Sequence, residues 1–504
     1  MDARKLATGL LTLVFLAGSL TAQEVSPTDA TADQTAAAPA FGLGLGVGTQ
    51  LIDGETYQSV SFIPDLAIGP FGVGLDVKLN YQFYRWQGDE LGFYVRARDW
   101  MIDENNDARP DPWDSHSLQK YLDMYLSKIV YLRYGTKGDP LYAKIGLFED
   151  GTLGNGFIMS GYSNALLRPE YSYVGLALDV DGALFGFPLV GIETFTNSVT
   201  GFDIIGGRAY VRPLKPLNIP VFGDLQIGVT GVMDRDPYAM YRKIYNPELI
   251  TNAAERAAAI AAMQTELDTY ADNEVLVWGV DARQPLVHLG SFFNLSTFGD
   301  IVMQGTTAGG MVGLGGNLLF LSFNGQYRRL GPNFQPVYFD SGYDLSRVSK
   351  LKTYLLNTDG NFDESTLVST PTVNSWFFQA GTSFFDSQIA FKASLEGPAG
   401  SNQDIDRDSA LAWPKIRSSL VVDGTKILPV PLTFTGFYDK DFIRDVGDLI
   451  SPEDALIGAK LGYQLGAATI QLTYNVEYIP EEQQVPGEDT WKVTSKLETV
   501  ITLK

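Results

Sequence analysis
The sequence reads as all-β: a single transmembrane antiparallel up-and-down β-barrel of about 18 strands, within about 16 to 20, with long loops, one of them holding a short helix. Three observations point there. Apolar and polar residues alternate with period two along most of the 504 residues, the pattern of strands with one oily and one wet face. The runs extend to about nine to thirteen residues, which suits tilted strands crossing a membrane, whereas soluble strands usually have about five or six. Composition agrees, with 52 glycines, 12% aromatics and 19% charged residues, against a usual charged share of about 25%. Cysteine is zero and His116 and His288 are the two histidines, so disulfide frameworks, cysteine nucleophiles and structural zinc sites drop out. A formal charge of −22 argues against a nucleic-acid binder, whose footprint would be basic.

The chain opens on a signal peptide, residues 1–22, in which Arg4 and Lys5 precede an apolar run over 10–17 and the small residues Gly18, Ser19, Thr21 and Ala22. Cleavage after Ala22 removes Asp2, Arg4 and Lys5 and leaves a charge of −23. Residues 23–40 hold almost nothing large to bury and read as a disordered lead-in to a barrel over 41–504. Phe41, Leu43, Leu45 and Val47 then alternate with four glycines. In residues 71–84, Phe71, Val73, Leu75, Val77, Leu79, Tyr81 and Phe83 oppose Gly72, Gly74, Asp76, Lys78, Asn80, Gln82 and Tyr84. Similar runs recur down to 470–478 and 491–503. After residue 22 no apolar run reaches about 18 residues, so helical spans are absent. A soluble sandwich would alternate too; one unbroken series of long runs without a repeat period speaks against it.

Four insertions interrupt the series, near 99–127, 235–272, 330–371 and 397–412, and long connections of a barrel are expected on its outer face. The second contains Asn252-Ala-Ala-Glu255, a capping-box-like start, followed by Ile260, Met263 and Leu267 at helical spacing. The first places Asp103, Asn105, Asp107, Asp111 and Asp114 at positions 1, 3, 5, 9 and 12 of a loop that resembles acidic calcium loops of the EF-hand type. Weakly bound calcium is the one cofactor implied, because Ala108 stands where glycine makes the sharp turn and Asp114 replaces the bidentate glutamate. A solvated acidic face is the plainer alternative.

Parity directs charges into the lumen, since a charge on the lipid face would cost about 2–4 kcal/mol near the midplane. The candidates are Lys78, Arg96, Arg98, Arg133, Lys144, Arg208, Arg212, Arg328, Arg417 and Lys460, with Asp76, Asp179, Glu193 and Glu477 of opposite sign. Arg208 and Arg212, four apart on one strand, make the sharpest basic pair. The glycine-rich, nonperiodic residues 149–169 lie between two strands and are a candidate constriction. Gly151-x-x-Gly154-x-Gly156 is no nucleotide fingerprint without a following helix, and Gly161-x-Ser163-x-Ala165 lacks the context of a nucleophile elbow.

Signal peptide, alternating ten-residue segments, short turns such as Gly466-Ala467-Ala468, long polar insertions and a strand at the C-terminus together resemble a porin-like outer-membrane β-barrel of diderm bacteria. Residues 131–164 also resemble a pattern in uncharacterised envelope proteins. The resemblance implies a lipid bilayer as surroundings, small hydrophilic solutes or ions as cargo, a possible homo-oligomer and no catalysis. The ending Thr502-Leu503-Lys504 departs from the terminal aromatic residue usual in such barrels. Two other functions stay open. One is a noncatalytic barrel displaying its insertions for adhesion or envelope structure. The other is a barrel protease, since Asp114-Ser-His116 and Asp404-x-Asp406 resemble the omptin pattern; a phospholipase reading would need serine where Gly290 follows His288.

Overall fold
Alternation becomes a closed wall in the computed structural model. It describes residues 40–503 apart from 53–54, 86–90, 103–110, 113–117, 149, 166–172, 218, 246, 248–251, 291, 359–368, 386–387, 401–404, 406–409, 425–431, 452–454, 466–467 and 479–490. The expected signal peptide and nearly all of the lead-in lie outside the described residues. One antiparallel sheet holds 22 segments. They begin with β1 (Ala40–Ile52), β2 (Glu55–Ile68), β3 (Phe71–Leu75), β4 (Val77–Arg85), β5 (Leu91–Val95), β6 (Ile129–Tyr134) and β7 (Leu141–Gly146). β8 (Gly175–Asp181), β9 (Val190–Thr196), β10 (Ile204–Val211), β11 (Gln226–Asp234), β12 (Val275–His288), β13 (Phe293–Gln304) and β14 (Thr307–Leu318) follow. The rest are β15 (Leu321–Leu330), β16 (Val373–Phe384), β17 (Ile389–Pro398), β18 (Lys415–Asp423), β19 (Leu432–Lys440), β20 (Ala455–Leu465), β21 (Ala468–Tyr478) and β22 (Trp491–Leu503).

β3 and β4 pair with β2 in one register, from Ile68↔Phe71 to Gln58↔Tyr81, interrupted at Asp76. β5 and β6 lie end to end along the opposite edge of that strand. Each couple makes one stave, so the 22 segments form 20 staves, the top of the expected range. β1 pairs with β2 on one side and with β22 on the other, through Leu45↔Leu503, Gly46↔Thr502 and Val47↔Ile501. The ring of strand pairings therefore closes through that seam, which is what a sheet needs in a medium without water.

Each stave reverses direction, which sorts the connections. Both described chain ends fall on one rim, called here the terminal rim, together with the links 69–70, 135–140, 182–189, 212–225, 289–292, 319–320 and 385–388. The connections 147–174, 235–274, 331–372 and 399–414 fall on the other. Residues 96–128 behave differently: Arg96 N bonds Asn80 O (2.8 Å) where β5 ends, and Asp76 N bonds Lys128 O (2.8 Å) where β6 begins. This insertion leaves a stave halfway along the wall instead of looping from a strand end. Its helix α1 (Leu118–Leu126) is tied by Asp123 to Thr200 of the β9–β10 connection.

β12 shows the two faces plainly. Val275, Val277, Gly279 and Asp281 point inward and are buried, while Leu276, Trp278 and Val280 stand exposed on the outside. The apolar core is not sandwiched between sheets. It lies between the inner wall and chain folded into the lumen: Met159, Tyr162, Tyr338, Phe339 and Leu351 pack against Ile204, Val232, Val275 and Val277. Three further helices belong to this cap, α2 (Ala239–Ile244), α3 (Ala253–Tyr270) and α4 (Tyr343–Leu355). The expected helix in the second insertion is α3, and Asn252 caps it by accepting from Ala254 N (2.9 Å) and Glu255 N (3.3 Å). Its side chains stay mostly in solvent, with Leu267 and Tyr270 against the core.

Candidate functional site
The inward faces of β9 to β13 carry one row of polar groups. Arg208 lies opposite Glu193 on one side and Thr230 on the other, and Asp281 lies opposite Asp300. Arg208 donates through Nη1 to Glu193 (2.7 Å), and through Nε (3.0 Å) and Nη2 (2.6 Å) to Asp281. Thr230 Oγ1 adds a bond to Asp281 (3.1 Å). To reach Asp281 the guanidinium crosses β11 over Gly228, where a Cβ would sit 2.8 Å from Arg208 Nε and 2.7 Å from Asp281 Oδ2. Glycine is thus required by close approach. Toward the terminal rim, Arg212 pairs with Asp181 (2.7 Å), which also accepts from Tyr210 (2.8 Å).

The glycine-rich segment dips onto this row. Its arms are joined by backbone bonds between Gly151 and Tyr162 (2.9 and 3.0 Å), and Gly154 and Gly156 turn the tip with φ of +57° and +84°. Gly154 N donates to Glu193 (3.3 Å), and Asn155 Nδ2 donates to Asp300 Oδ1 and Ala282 O (3.3 Å each). Leu153, Asn155, Phe157 and Ile158 bound a small cleft against Thr230, Asp281, Asp300 and Val302. Asn164 anchors the base by accepting from Phe148 N (2.8 Å) and donating to Asn197 O (3.0 Å). The expected constriction is therefore inside the barrel through residues 151–165; 149 and 166–169 of it lie outside the described residues.

A clasp from the 331–372 connection holds the segment from above. Backbone bonds run from Val337 N to Phe157 O (2.9 Å), Phe339 N to Ile158 O (3.1 Å) and Ser160 N to Phe339 O (3.2 Å), and Phe157 stacks on Phe334. From α4, Arg347 forks onto Asp234 at the end of β11 (2.9 and 2.7 Å), and Tyr343 donates to the same carboxylate (2.8 Å). Tyr162 donates to Asp344 (3.0 Å). Arg347 is 1% exposed, so this fork is a charge-assisted pair out of water. Burial pushes the Asp344 carboxyl up to about 6, against the pull of Arg347 and Tyr162, and pushes the Tyr162, Tyr338 and Tyr343 phenols well above their ordinary range.

The other inward candidates divide into two environments. Arg133 and Lys144 lie directly opposite each other on β6 and β7, with Lys144 Nζ 4.8 Å from the Phe148 ring centre. Lys78 pairs with Asp76 (3.0 Å), Lys137 with Asp179 (3.3 Å) and Arg328 with Glu396 (3.5 Å). Arg96 follows the end of β5, bonds Asp99 and stands over the ring of the inward Tyr57. Arg98 falls in the turn Ala97–Asp99, and its side chain lies outside the described residues, as does that of Glu477. On β17 to β20 several inward charges reach water. Lys392 and Lys460 are exposed, and the Arg417 side chain, bonded to Asp441 (2.8 Å), is 41% exposed. Of the calcium-type loop, Asp103, Asn105, Asp107 and Asp114 lie outside the described residues, as do His116 and Asp404; Asp111 N bonds Ile102 O (2.8 Å). Sequence reasoning missed Asn155, Asp281, Asp300, Asp234, Arg347 and Asp344. Inward parity alone was the signal for Asp281 and Asp300; none marked the clasp.

No protein-family model matches the chain, and no curated protein matches it. Among solved structures it is similar to CdiB from Escherichia coli, with 10% identity and a TM-score of 0.32 over 74% of this chain and 65% of that one, less than two thirds of its length. It is similar to Wzi, an outer-membrane carbohydrate-binding β-barrel of Escherichia coli, with 10% identity and a TM-score of 0.30 over 92% and 84%. It is also similar to the outer-membrane protein OprD from Pseudomonas aeruginosa, with 9% identity and a TM-score of 0.28 over 92% of each chain. At such TM-scores these likenesses assign no activity, and the reading below rests on the chain's own geometry.

Proposed function
We propose that this chain is a noncatalytic bacterial outer-membrane barrel that conducts small hydrophilic solutes or ions through a lumen narrowed on one side. The observation that carries the reading is the unequal burial of inward side chains around the ring. Arg208, Asp281 and Asp300 are buried beneath the infolded segment, whereas Lys392, Lys460 and Arg417 on β17 to β20 face water. A segment that sealed the barrel would bury both sides. A lumen of about 20 staves is wide enough for water unless filled; the infolded chain packs on β9 to β14, and the exposed charges on β17 to β20 support a passage on that side. Charged groups of both signs on that passage hold water and bias ion movement without a dedicated binding site. Cargo selection beyond small and hydrophilic follows the width left beside residues 151–165.

The test is reconstitution of the purified barrel into planar lipid. Discrete conductance steps are expected. A folded barrel that is silent at every voltage overturns the reading.

A further inference from the structure
The staves are not equally tall. β8 and β9 have seven residues and β10 has eight, so at a tilt of about 40° they stand only about 18–20 Å high. The apolar band of a membrane barrel is about 25 Å. β12, with 14 residues, reaches that height with room to spare. On the side of β8 to β10 the wall alone is too low.

The terminal-rim connections there are unusually apolar. Residues 182–189, joining β8 to β9, contain no charged side chain, and Phe185 and Phe187 are 76% and 54% exposed. Residues 212–225, joining β10 to β11, expose Leu217 (64%), Val221 (54%) and Phe222 (52%). The charges in this second connection are paired: Arg212 with Asp181, and Lys215 with Asp224. The surface is continuous with the outward wall, where Val190, Ile192, Ile227 and Val229 are also exposed. Two neighbouring links that show large apolar groups and keep their charges paired suit hydrocarbon, not water.

We propose that these two connections lie at the edge of the lipid leaflet on the terminal side with Phe185, Phe187, Leu217, Val221 and Phe222 dipped into its acyl chains, so that the membrane boundary beside β8 to β10 is drawn by the turns and elsewhere by the strands. Bonds such as Gly186 N to Ala183 O (3.0 Å), Phe187 N to Gly182 O (2.8 Å) and Gly223 N to Ile219 O (2.9 Å) satisfy backbone groups of the turns. The partner is the acyl-chain region of that leaflet. The inference rests on the membrane reading above and adds to it a place where the barrel meets lipid with turns.

The chain has no cysteine, so single cysteines give unique labels. Phe185→Cys and Phe222→Cys are labelled with bimane and reconstituted into phosphatidylcholine vesicles with brominated acyl chains, with iodide as the aqueous quencher. Phe378→Cys, outward on β16, reports lipid, and Ala258→Cys, exposed on α3, reports water. Both rim labels should lose at least half of their emission to brominated lipid and resist iodide several-fold better than Ala258→Cys. Rim labels quenched by iodide like Ala258→Cys overturn the proposal, and so do labels shielded from both quenchers, which would mean contact with another protein surface. A Phe378→Cys label untouched by brominated lipid would remove the membrane reading itself, and this proposal with it.

Discussion
Arg208 reaches its partner only because Gly228 leaves the space between them empty, and the result is a cation buried between two carboxylates. Removing it strands Glu193 and Asp281. Arg208→Met is expected to destabilise the folded barrel by about 3–5 kcal/mol, the usual cost of breaking a buried pair, whereas Arg417→Met, at a site in contact with water, should cost less than about 1 kcal/mol. Urea unfolding in detergent would measure both, and equal effects would contradict the burial contrast. Asp344 titrates in the clasp. Its carboxyl lies at about 6 in the folded chain against 3.8 unperturbed, so between those values the folded state binds more protons and stability falls as pH rises. The clasp should therefore tighten on going from pH 8 to pH 5, by at most about 1.4 kcal/mol because only about one unit of that range lies below 6, seen as slower proteolysis within 331–372. Asp344→Asn should flatten that profile, and an unchanged slope would assign it to other groups. Parity in the sequence found Arg208 and Glu193 because each alternates with apolar neighbours. It did not pair Arg208 with Asp281, because that contact depends on the register of strands 73 positions apart.

At the scale of elements, the infolded segment is a hairpin-like insert pinned at both ends. Its tip bonds the wall at Glu193 and Asp300, and its back is bridged to residues 337–339. Replacing residues 152–161 by a short Gly-Ser link removes those contacts but no stave, so the barrel should still fold while single-channel conductance rises at least two-fold. Unchanged conductance would place the narrowest point elsewhere. The loss of periodicity over 149–169 made this segment visible in the sequence, and the Asn252 cap made α3 visible. α4 was not visible. It lies in an insertion read only as a long polar connection, and Arg347 is buried only because Asp234, 113 positions earlier, waits at the end of β11. The first insertion was expected at a strand end. The break at Asp76 and the split of β5 from β6 moved it to mid-wall, which alternation on either side does not reveal.

For the whole molecule, closure decides whether any of this exists. The class and the strand series followed from alternation, since side-chain period is a local property. Which strands meet across the seam is not local, and the sequence carries no mark of it beyond the final alternating run. The seam is short: Leu45, Gly46 and Val47 face Leu503, Thr502 and Ile501. The same end of β22 also continues the pairing with β21, from Leu472↔Leu497 to Ala468↔Ile501, with Ile501 common to both. Removing residues 497–504 would bare the edges of both β1 and β21, and in hydrocarbon each unpaired amide costs several kcal/mol. That total exceeds the roughly 5–15 kcal/mol by which native proteins are stable. The truncated chain should thus yield no protease-resistant folded form in detergent or lipid, whereas deleting residues 253–270, which contribute nothing to the wall, should leave that form intact. A truncated chain that still resists protease would mean that the ring is held by something other than the β1–β22 seam, and the 20-stave closure would have to be redrawn.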